Sequence, residues 1–236
     1  MRREPGTMRV ETGTAAAVDT VTLRAGAVAA LLGTVLYVVV SVAHGNPPIT
    51  DSAATLDHVA ERSWWLHAHL ANVLAVVLWL VALVVVTRVL RHDRSAGLAS
   101  LAAATMSVAT AVYAVYFGVH GVGLTALADQ WAAAEPGAEH GTVIAADAVL
   151  AVLGSTAFVA QGLLGSSVLV YGAVLAYSRA LPRWLGTFGM VTGAGWLTGA
   201  VALSFAVIVP FTVLGWLWMI AIGIVLWRRA NTASRG

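Results

Sequence analysis

Long apolar runs separated by short polar stretches fill most of this chain. Six runs are long enough to cross a membrane, at residues 23–43, 65–89, 97–118, 156–177, 184–209 and 211–227. A spanning helix needs about 20 apolar residues, each rising about 1.5 Å through a hydrocarbon core about 30 Å thick. The pattern therefore predicts an all-α fold, a polytopic six-helix transmembrane bundle, in which residues 23–229 form a single membrane domain.

Proline and glycine interrupt the runs at defined places. Asn46-Pro47-Pro48 ends the first run, and residues 51–61 have the pattern of a short interfacial helix. Pro210 lies between the fifth and sixth runs with no polar loop around it. The last two spans are therefore predicted to break at this proline and to be antiparallel neighbours.

The segment that follows the third run differs from an ordinary loop. It stays compatible with a helix over residues 121–134, breaks at Glu135-Pro136-Gly137 and becomes helical again from about Thr142. We therefore expect two outer segments, at 44–63 and 121–145. Spans three and four are predicted to project as a helical hairpin or to fold over as a cap.

Arginines lie on one side of this predicted bundle. They are Arg2, Arg3, Arg9 and Arg24 before the first run, then Arg88, Arg91, Arg94, Arg179, Arg183, Arg228, Arg229 and Arg235. Only Arg62 falls on the other side. Because positive charge in short loops is retained in the cytoplasm, both terminal tails, 1–22 and 230–236, are predicted to be cytoplasmic. The predicted location is the cell (plasma) membrane, crossed several times.

Composition excludes several classes of protein. With 59% hydrophobic and 10% charged residues and a mean hydropathy of +0.85, the chain has too little polar surface for a soluble domain. It contains no cysteine, which rules out disulfides, thiolate metal sites and thiol catalysis. Its arginines are spread through short loops instead of forming one basic face. The lipid bilayer is therefore the expected partner, and nucleic acid is not.

Histidines gather at the predicted outer boundary. His44 ends the first span, His67 and His69 begin the second, and His120 ends the third. Imidazole groups exchange protons near neutral pH and bind transition metals, and the outer segments around them are rich in carboxylates. Because His67 and His69 differ by about 200° around a helix, only one of them can face the bundle interior.

A stripe of polar and aromatic side chains favours His69 as the inward-facing histidine, and the third span has a matching stripe. The predicted acid–base residues are His69, His120 and Asp129, and the predicted ligand contacts are Trp65, Asn72, Tyr113, Phe117 and Gln161. Such side chains, converging at the membrane boundary, suit a pocket for an amphipathic ligand. The alternative is that they are interfacial anchors, since histidine, tryptophan and tyrosine are common at the water interface.

Glycines in the fifth span have the spacing of close helix contacts. Gly189 and Gly193 are four residues apart, as are Gly195 and Gly199. This spacing lets backbones approach closely, either within the bundle, which we favour, or across a dimer face. No charged residue lies near the middle of any predicted span, which argues against an ion-coupled transporter.

Short motifs mark the ends of the predicted spans. They are Leu23-Arg24-Ala25-Gly26, His44-Gly45-x-Pro47-Pro48, Trp64-Trp65-x-His67, Ala128-Asp129-x-Trp131 and Pro182-Arg183-Trp184-Leu185-Gly186. In this order they resemble a group of uncharacterised six-span integral membrane proteins of high-GC bacteria. The resemblance covers most of the chain and implies the architecture, without an activity. Members often carry an acid followed by glycine where this chain has His120-Gly121. A looser architectural similarity is to small membrane-bound terpene cyclases.

Three functions fit these observations. The leading hypothesis is a membrane enzyme or ligand-binding protein with an outward-facing pocket for a lipophilic molecule, such as an isoprenoid or a quinone-like lipid. The second is a non-enzymatic accessory or structural protein whose outer segments contact a partner. The third is a metal- or haem-binding membrane protein. The sequence itself names no cofactor.

Overall fold

The computed structural model describes residues 18–45, 47–91 and 93–234. Within them, all regular structure is helical: α1 Thr20–Ala43, α2 Ser52–Ala60, α3 Trp65–Val89, α4 Ala96–Gly118, α5 Leu124–Ala132, α6 His140–Tyr177, α7 Arg183–Val201 and α8 Phe205–Ala233, with a π-helical turn Val119–Gly123 between α4 and α5. The predictions made for Arg2, Arg3, Arg9, Asn46 and Arg235 lie outside the described residues.

In the part of the chain that the structure describes, five helical segments are long and apolar enough to cross a membrane. They are Thr20–Ala43, Trp65–Val89, Ala96–Ala132, His140–Tyr177 and Phe205–Ala233. The prediction of an all-helical fold with several spans is therefore confirmed. Helix α7 is shorter, with 19 residues, and rich in glycine and threonine, which lowers its apolar character.

The tightest helix packing joins α6 to α7 through glycine. A Cβ atom on Gly165 would lie 2.7 Å from the backbone nitrogen of Leu197, and one on Gly193 would overlap the backbone nitrogen of Leu169. The two backbones are therefore in direct contact, a spacing that only glycine allows. At least one of the closely spaced glycines of the fifth span, Gly193, therefore packs against another helix of the same chain.

The other glycines of that span face α8. Phe211 covers Gly195, and a Cβ atom on Gly199 would lie 2.9 Å from the backbone nitrogen of Ile208. Near the opposite end of the pair, the indole of Trp218 donates to the carbonyl oxygen of α7 residue Leu185 at 2.9 Å. Helices α7 and α8 are therefore antiparallel neighbours, as predicted. A dimer through these glycines would require α7 to leave its own bundle.

The end of α7 corrects the prediction for the last two spans. The fifth span was expected to reach residue 209 and to break at Pro210, but α7 ends at Val201 and Pro210 lies inside α8. Leu203 adopts φ 50°, and the Ser204 N–H donates to the carbonyl oxygen of Gly199 at 2.9 Å. This is the bond of a Schellman-type helix end, where glycine is usual. Proline is tolerated within membrane helices because neighbouring groups satisfy the freed carbonyl.

Helices α2 and α5 form a cap over one end of the bundle. They pack against each other and against the first turns of α6. A separate small core lies between them, with Leu56, Val59, Trp65, Leu124, Ala128, Ala146 and Leu153 buried. The indole of Trp131 on α5 donates to the Asp57 carboxylate on α2 at 2.7 Å. Both the short helix near residues 51–61 and the cap are therefore confirmed.

The other end of the bundle is joined through Asp93. Its carboxylate accepts hydrogen bonds from the hydroxyl of Ser95 at 2.8 Å, the hydroxyl of Ser178 at 3.1 Å and the backbone N–H of Arg179 at 3.1 Å. The bond from Arg179, followed by those from Ser95, lowers the pKa of Asp93 to about 2. The loop after α3 and the loop after α6 therefore meet at this end.

Basic residues are concentrated at one end of the bundle. One end, here named the arginine end, carries Arg24, Arg88, Arg91, Arg94, Arg179, Arg183, Arg228 and Arg229. The opposite end, named the histidine end, carries the carboxylates of Asp51, Asp57, Glu61, Asp129, Glu135, Glu139 and Asp147. Among the described residues, the arginine at this end is Arg62. The segregation of basic residues that the sequence indicated is thus present in three dimensions.

Candidate functional site

Three histidines meet beneath the cap: His44 directly after α1, His69 in α3 and His120 in the π-helical turn. The ring centroids of His69 and His120 are 4.4 Å apart, and His44 lies 5.6 Å from His69 and 6.5 Å from His120. His69 is fully buried and His120 is 8% exposed. His67, one of the two candidates on α3, is exposed, so the facing predicted from helix periodicity is confirmed.

Trp65 fixes the orientation of this histidine cluster, formed by His44, His69 and His120. Its indole N–H donates to the carbonyl oxygen of His120 at 3.0 Å, and its ring stacks on His44 at 5.7 Å. Its own carbonyl oxygen lies 2.8 Å from Nδ1 of His69. Because a carbonyl oxygen can only accept, Nδ1 of His69 carries the proton and Nε2 has a free lone pair.

The π-helical turn brings α4 and α5 close to α3. A Cβ atom on Gly121 would stand 2.7 Å from Cβ of His69, so only glycine permits this approach. One-turn π-bulges within long helices are often found at functional sites. The helix-compatible residues beyond His120 gave no indication of a π turn, although Gly121 directly after His120 is the residue that makes the contact possible.

Buried polar atoms without a partner concentrate in the same region. In the described part of the chain they are His44 Nδ1, His69 Nε2, Asn72 Oδ1, Thr110 Oγ1, Tyr113 OH and His120 Nδ1, together with Thr192 Oγ1 and Trp216 Nε1. An unpartnered buried polar group costs about 1–3 kcal/mol. Such groups are rare in folded proteins, and their concentration often marks a functional site.

Most of the predicted site residues lie together. Trp65, His69, Asn72, Tyr113, Phe117 and His120 are all buried. Tyr113 and Phe117 have ring centroids 5.4 Å apart, and Phe117 lies 6.2 Å from His69. The two predicted stripes, on α3 and α4, therefore face each other across one interface.

Asp129 and Gln161 lie elsewhere. Asp129 is exposed on α5, because that helix buries the preceding residue, Ala128, against the cap, and consecutive residues point about 100° apart. Gln161 accepts a hydrogen bond from the indole of Trp196 on α7, so it joins α6 to α7. Neither residue belongs to the histidine cluster.

A crevice of about 260 Å³ leads from the histidine end to His120. Tyr116 and Asp147 line it, as do Ser52 of the cap and Phe205 at the start of α8. The hydroxyl of Ser52 donates to the Asp147 carboxylate. Sequence reasoning did not assign Tyr116, Asp147 or Ser52 to a site, because no helical periodicity relates residues of α2, α4 and α6.

An apolar groove of about 670 Å³ runs beside this crevice. It lies between α6 and the turn that follows α7, with Phe158, Val159 and Leu203 among its lining residues. Helix α7 ends early, at Val201, whereas the neighbouring helix α6 extends further towards the histidine end. The groove lies in the space that α7 leaves open beside α6. Groove and crevice share three lining residues, Leu150, Ala151 and Gly154, so they form a continuous surface.

The imidazole groups of the histidine cluster offer hydrogen-bonding capacity. Among the described residues, no group of three or more histidine, aspartate or glutamate side chains is placed to hold a metal ion. Burial, and secondly the charge of nearby His58, lowers the pKa of His44. His44 is therefore neutral at pH 7 and offers one donor and one acceptor nitrogen.

The long apolar helices make this chain an integral membrane protein. It belongs to the family described as Domain of unknown function (DUF4386), which matches residues 21–228. Comparison with curated proteins found no match, and comparison with solved structures found none either. The match supports the resemblance to an uncharacterised family.

Proposed function

We propose that this protein binds an amphipathic, lipid-soluble molecule, with an isoprenoid-like molecule as the candidate. Its apolar part would lie in the groove beside α6, and its polar group would enter the crevice and contact His120. In this proposal His69 packs against His120 on the side away from the ligand. Asp147, and not Asp129, is the carboxylate near the ligand.

The observation that carries the proposal is the continuity of groove and crevice through Leu150, Ala151 and Gly154. Groove residues such as Val159 are exposed on the bundle surface, where lipid chains lie. A ligand could therefore enter sideways from the membrane without exposing its apolar part to water. The groove, at about 670 Å³, lies within the range of small-molecule pockets, about 300–1,000 Å³.

Photolabelling in lipid nanodiscs tests this proposal. A long-chain prenyl alcohol carrying a diazirine in its chain is expected to label residues 150–162 and 200–205. Gly154→Leu should reduce this labelling at least about tenfold, because Gly154 borders open space in which the leucine would replace the ligand. Gly141→Leu is the matched control, because Gly141 lies on the same helix, also beside open space, and outside both cavities.

Two results would contradict the proposal. One is labelling spread evenly over the lipid-facing surface, and the other is equal labelling of the Gly154→Leu and Gly141→Leu variants. Either result would favour a non-enzymatic accessory protein whose histidines only pack the bundle.

We propose six spans with both termini cytoplasmic, which makes α7 a spanning helix and places the protein in the plasma membrane. Its 19 residues give a length of about 28 Å at about 1.5 Å per residue, close to a hydrocarbon core of about 30 Å. Glycine lowers its hydropathy, but α6 and α8 cover most of those glycines. The arginine end would then be the cytoplasmic one.

Cysteine labelling of intact cells tests this topology, since the chain has no native cysteine. Glu135→Cys at the histidine end should react with an impermeant maleimide, whereas Arg91→Cys should react only after the cells are opened. Val191→Cys is the control for a lipid-embedded position, because Val191 is 55% exposed in the middle of α7. Reaction of Arg91→Cys in intact cells would reverse the proposed orientation.

A further inference from the structure

Among the described residues, no arginine or lysine lines the crevice to receive an anion. Its lining residues are Ile49, Thr50, Ser52, Tyr116, His120, Asp147, Leu150, Ala151, Leu153, Gly154, Ala157 and Phe205. Asp147 is the charged residue among them, and no arginine or lysine contributes. Sites for phosphate or carboxylate groups usually rely on such residues, and on arginine above all.

Asp147 is available to a second hydrogen-bond donor. The hydroxyl of Ser52 already donates to it, but a carboxylate accepts at about four positions. Asp147 is exposed, whereas Ser52 is 7% exposed, so the carboxylate faces the open side of the crevice. A hydroxyl or amine at the polar end of a ligand could donate there.

The surroundings make the crevice still less favourable for an anion. Arg62 is the arginine that the described residues place at the histidine end. Its guanidinium donates to the carbonyl oxygen of His58 at 2.6 Å and lies 3.8 Å from the Glu61 carboxylate. The N-terminus of α2, which would attract an anion, is capped by the Asp51 carboxylate, which accepts from the backbone N–H of Ala54 at 3.0 Å. The local field therefore repels negative charge.

Resting on the proposed function, we infer that the ligand's polar group is a hydrogen-bond donor without negative charge, an alcohol or an amine. Lipids that end in phosphate or carboxylate are excluded from the crevice. A negatively charged group beside Asp147 would be repelled by a like charge. Asp147 therefore disfavours an anionic polar group in the crevice.

Three photoprobes that share one diazirine-bearing chain and end in an alcohol, an amine or a carboxylate test this inference. In phosphatidylcholine nanodiscs at neutral pH, the alcohol and amine probes should label residues 147–157 at least about tenfold more than the carboxylate probe, because of repulsion from Asp147. Asp147→Asn should raise labelling by the carboxylate probe. Glu135→Gln, which removes a carboxylate of the same end outside the crevice, should not.

The amine and alcohol probes separate the two donor chemistries. An amine preference that disappears in Asp147→Asn would identify an ammonium ligand, whereas a preference for the alcohol probe would identify a hydroxyl ligand. Labelling by the carboxylate probe equal to the others would overturn the inference and leave the proposed function intact. If no probe labels the groove or the crevice, the proposed function itself is wrong.

Discussion

Gly172→Ala is expected to prevent stable folding of the bundle. Its Cβ atom would overlap the backbone nitrogen of Met190, and it would lie 2.6 Å from the carbonyl carbon of Gly189 and 2.9 Å from the carbonyl oxygen of Gly186. These are backbone atoms of α7, which cannot rotate away as a side chain can. We expect a loss of about 3 kcal/mol or more, at the upper end of overpacking effects. Thermal unfolding in detergent, followed by size-exclusion chromatography, measures it.

Gly154→Ala is the matched control on the same helix. No heavy atom lies within 4 Å of the added Cβ at Gly154, so alanine should be tolerated. It should stabilise α6 by about 0.5–1 kcal/mol, since glycine is a poor helix residue. Equal unfolding temperatures for Gly172→Ala and Gly154→Ala would show that α6 and α7 are not in backbone contact.

His69→Ala and His120→Ala are each expected to reduce labelling of the crevice by the alcohol probe about tenfold, a difference of about 1.4 kcal/mol. His120 lines the crevice. The ring centroids of His69 and His120 are 4.4 Å apart. The double variant should lose little more than either single variant, because groups acting as a unit are non-additive. The measurement is labelling per folded protein, with the folded fraction determined by size-exclusion chromatography.

His67→Ala serves as the control for this pair. His67 lies on the exposed side of α3, two residues from His69, so its loss should leave labelling unchanged. A damaging His67→Ala variant, with silent His69→Ala and His120→Ala variants, would remove the histidine cluster from the site. Fully additive losses at His69 and His120 would instead indicate two independent contacts.

Periodicity correctly predicted which side chains of α3 and α4 are buried. His69 was favoured over His67 because successive residues of a helix are rotated by about 100° around its axis. In the structure His69 is buried and His67 is exposed. The same reasoning placed Tyr113, Phe117 and His120 on one stripe of α4 and the turn after it, and all three are buried. Their roles in binding remain predictions.

Periodicity failed where a residue's partner came from a distant helix. Asp129 was chosen as an acid near the end of the third span, but Asp147, on the next helix, is the carboxylate that lines the crevice. Gln161 was expected in the pocket, but its partner is Trp196 of α7. A helix pattern states which face is apolar, and it does not state which neighbour covers that face.

The sequence by itself determined the apolar helices, the segregation of arginine from histidine and the cap residues, because hydropathy and charge act locally along the chain. Only the tertiary structure decided where α7 ends, since Leu203 adopts a left-handed conformation for which glycine is the usual signal. That end opens the groove beside α6. The crevice likewise depends on packing, because it needs Ser52, His120 and Asp147 to meet from separate helical elements, and such contacts leave no periodic trace in the sequence.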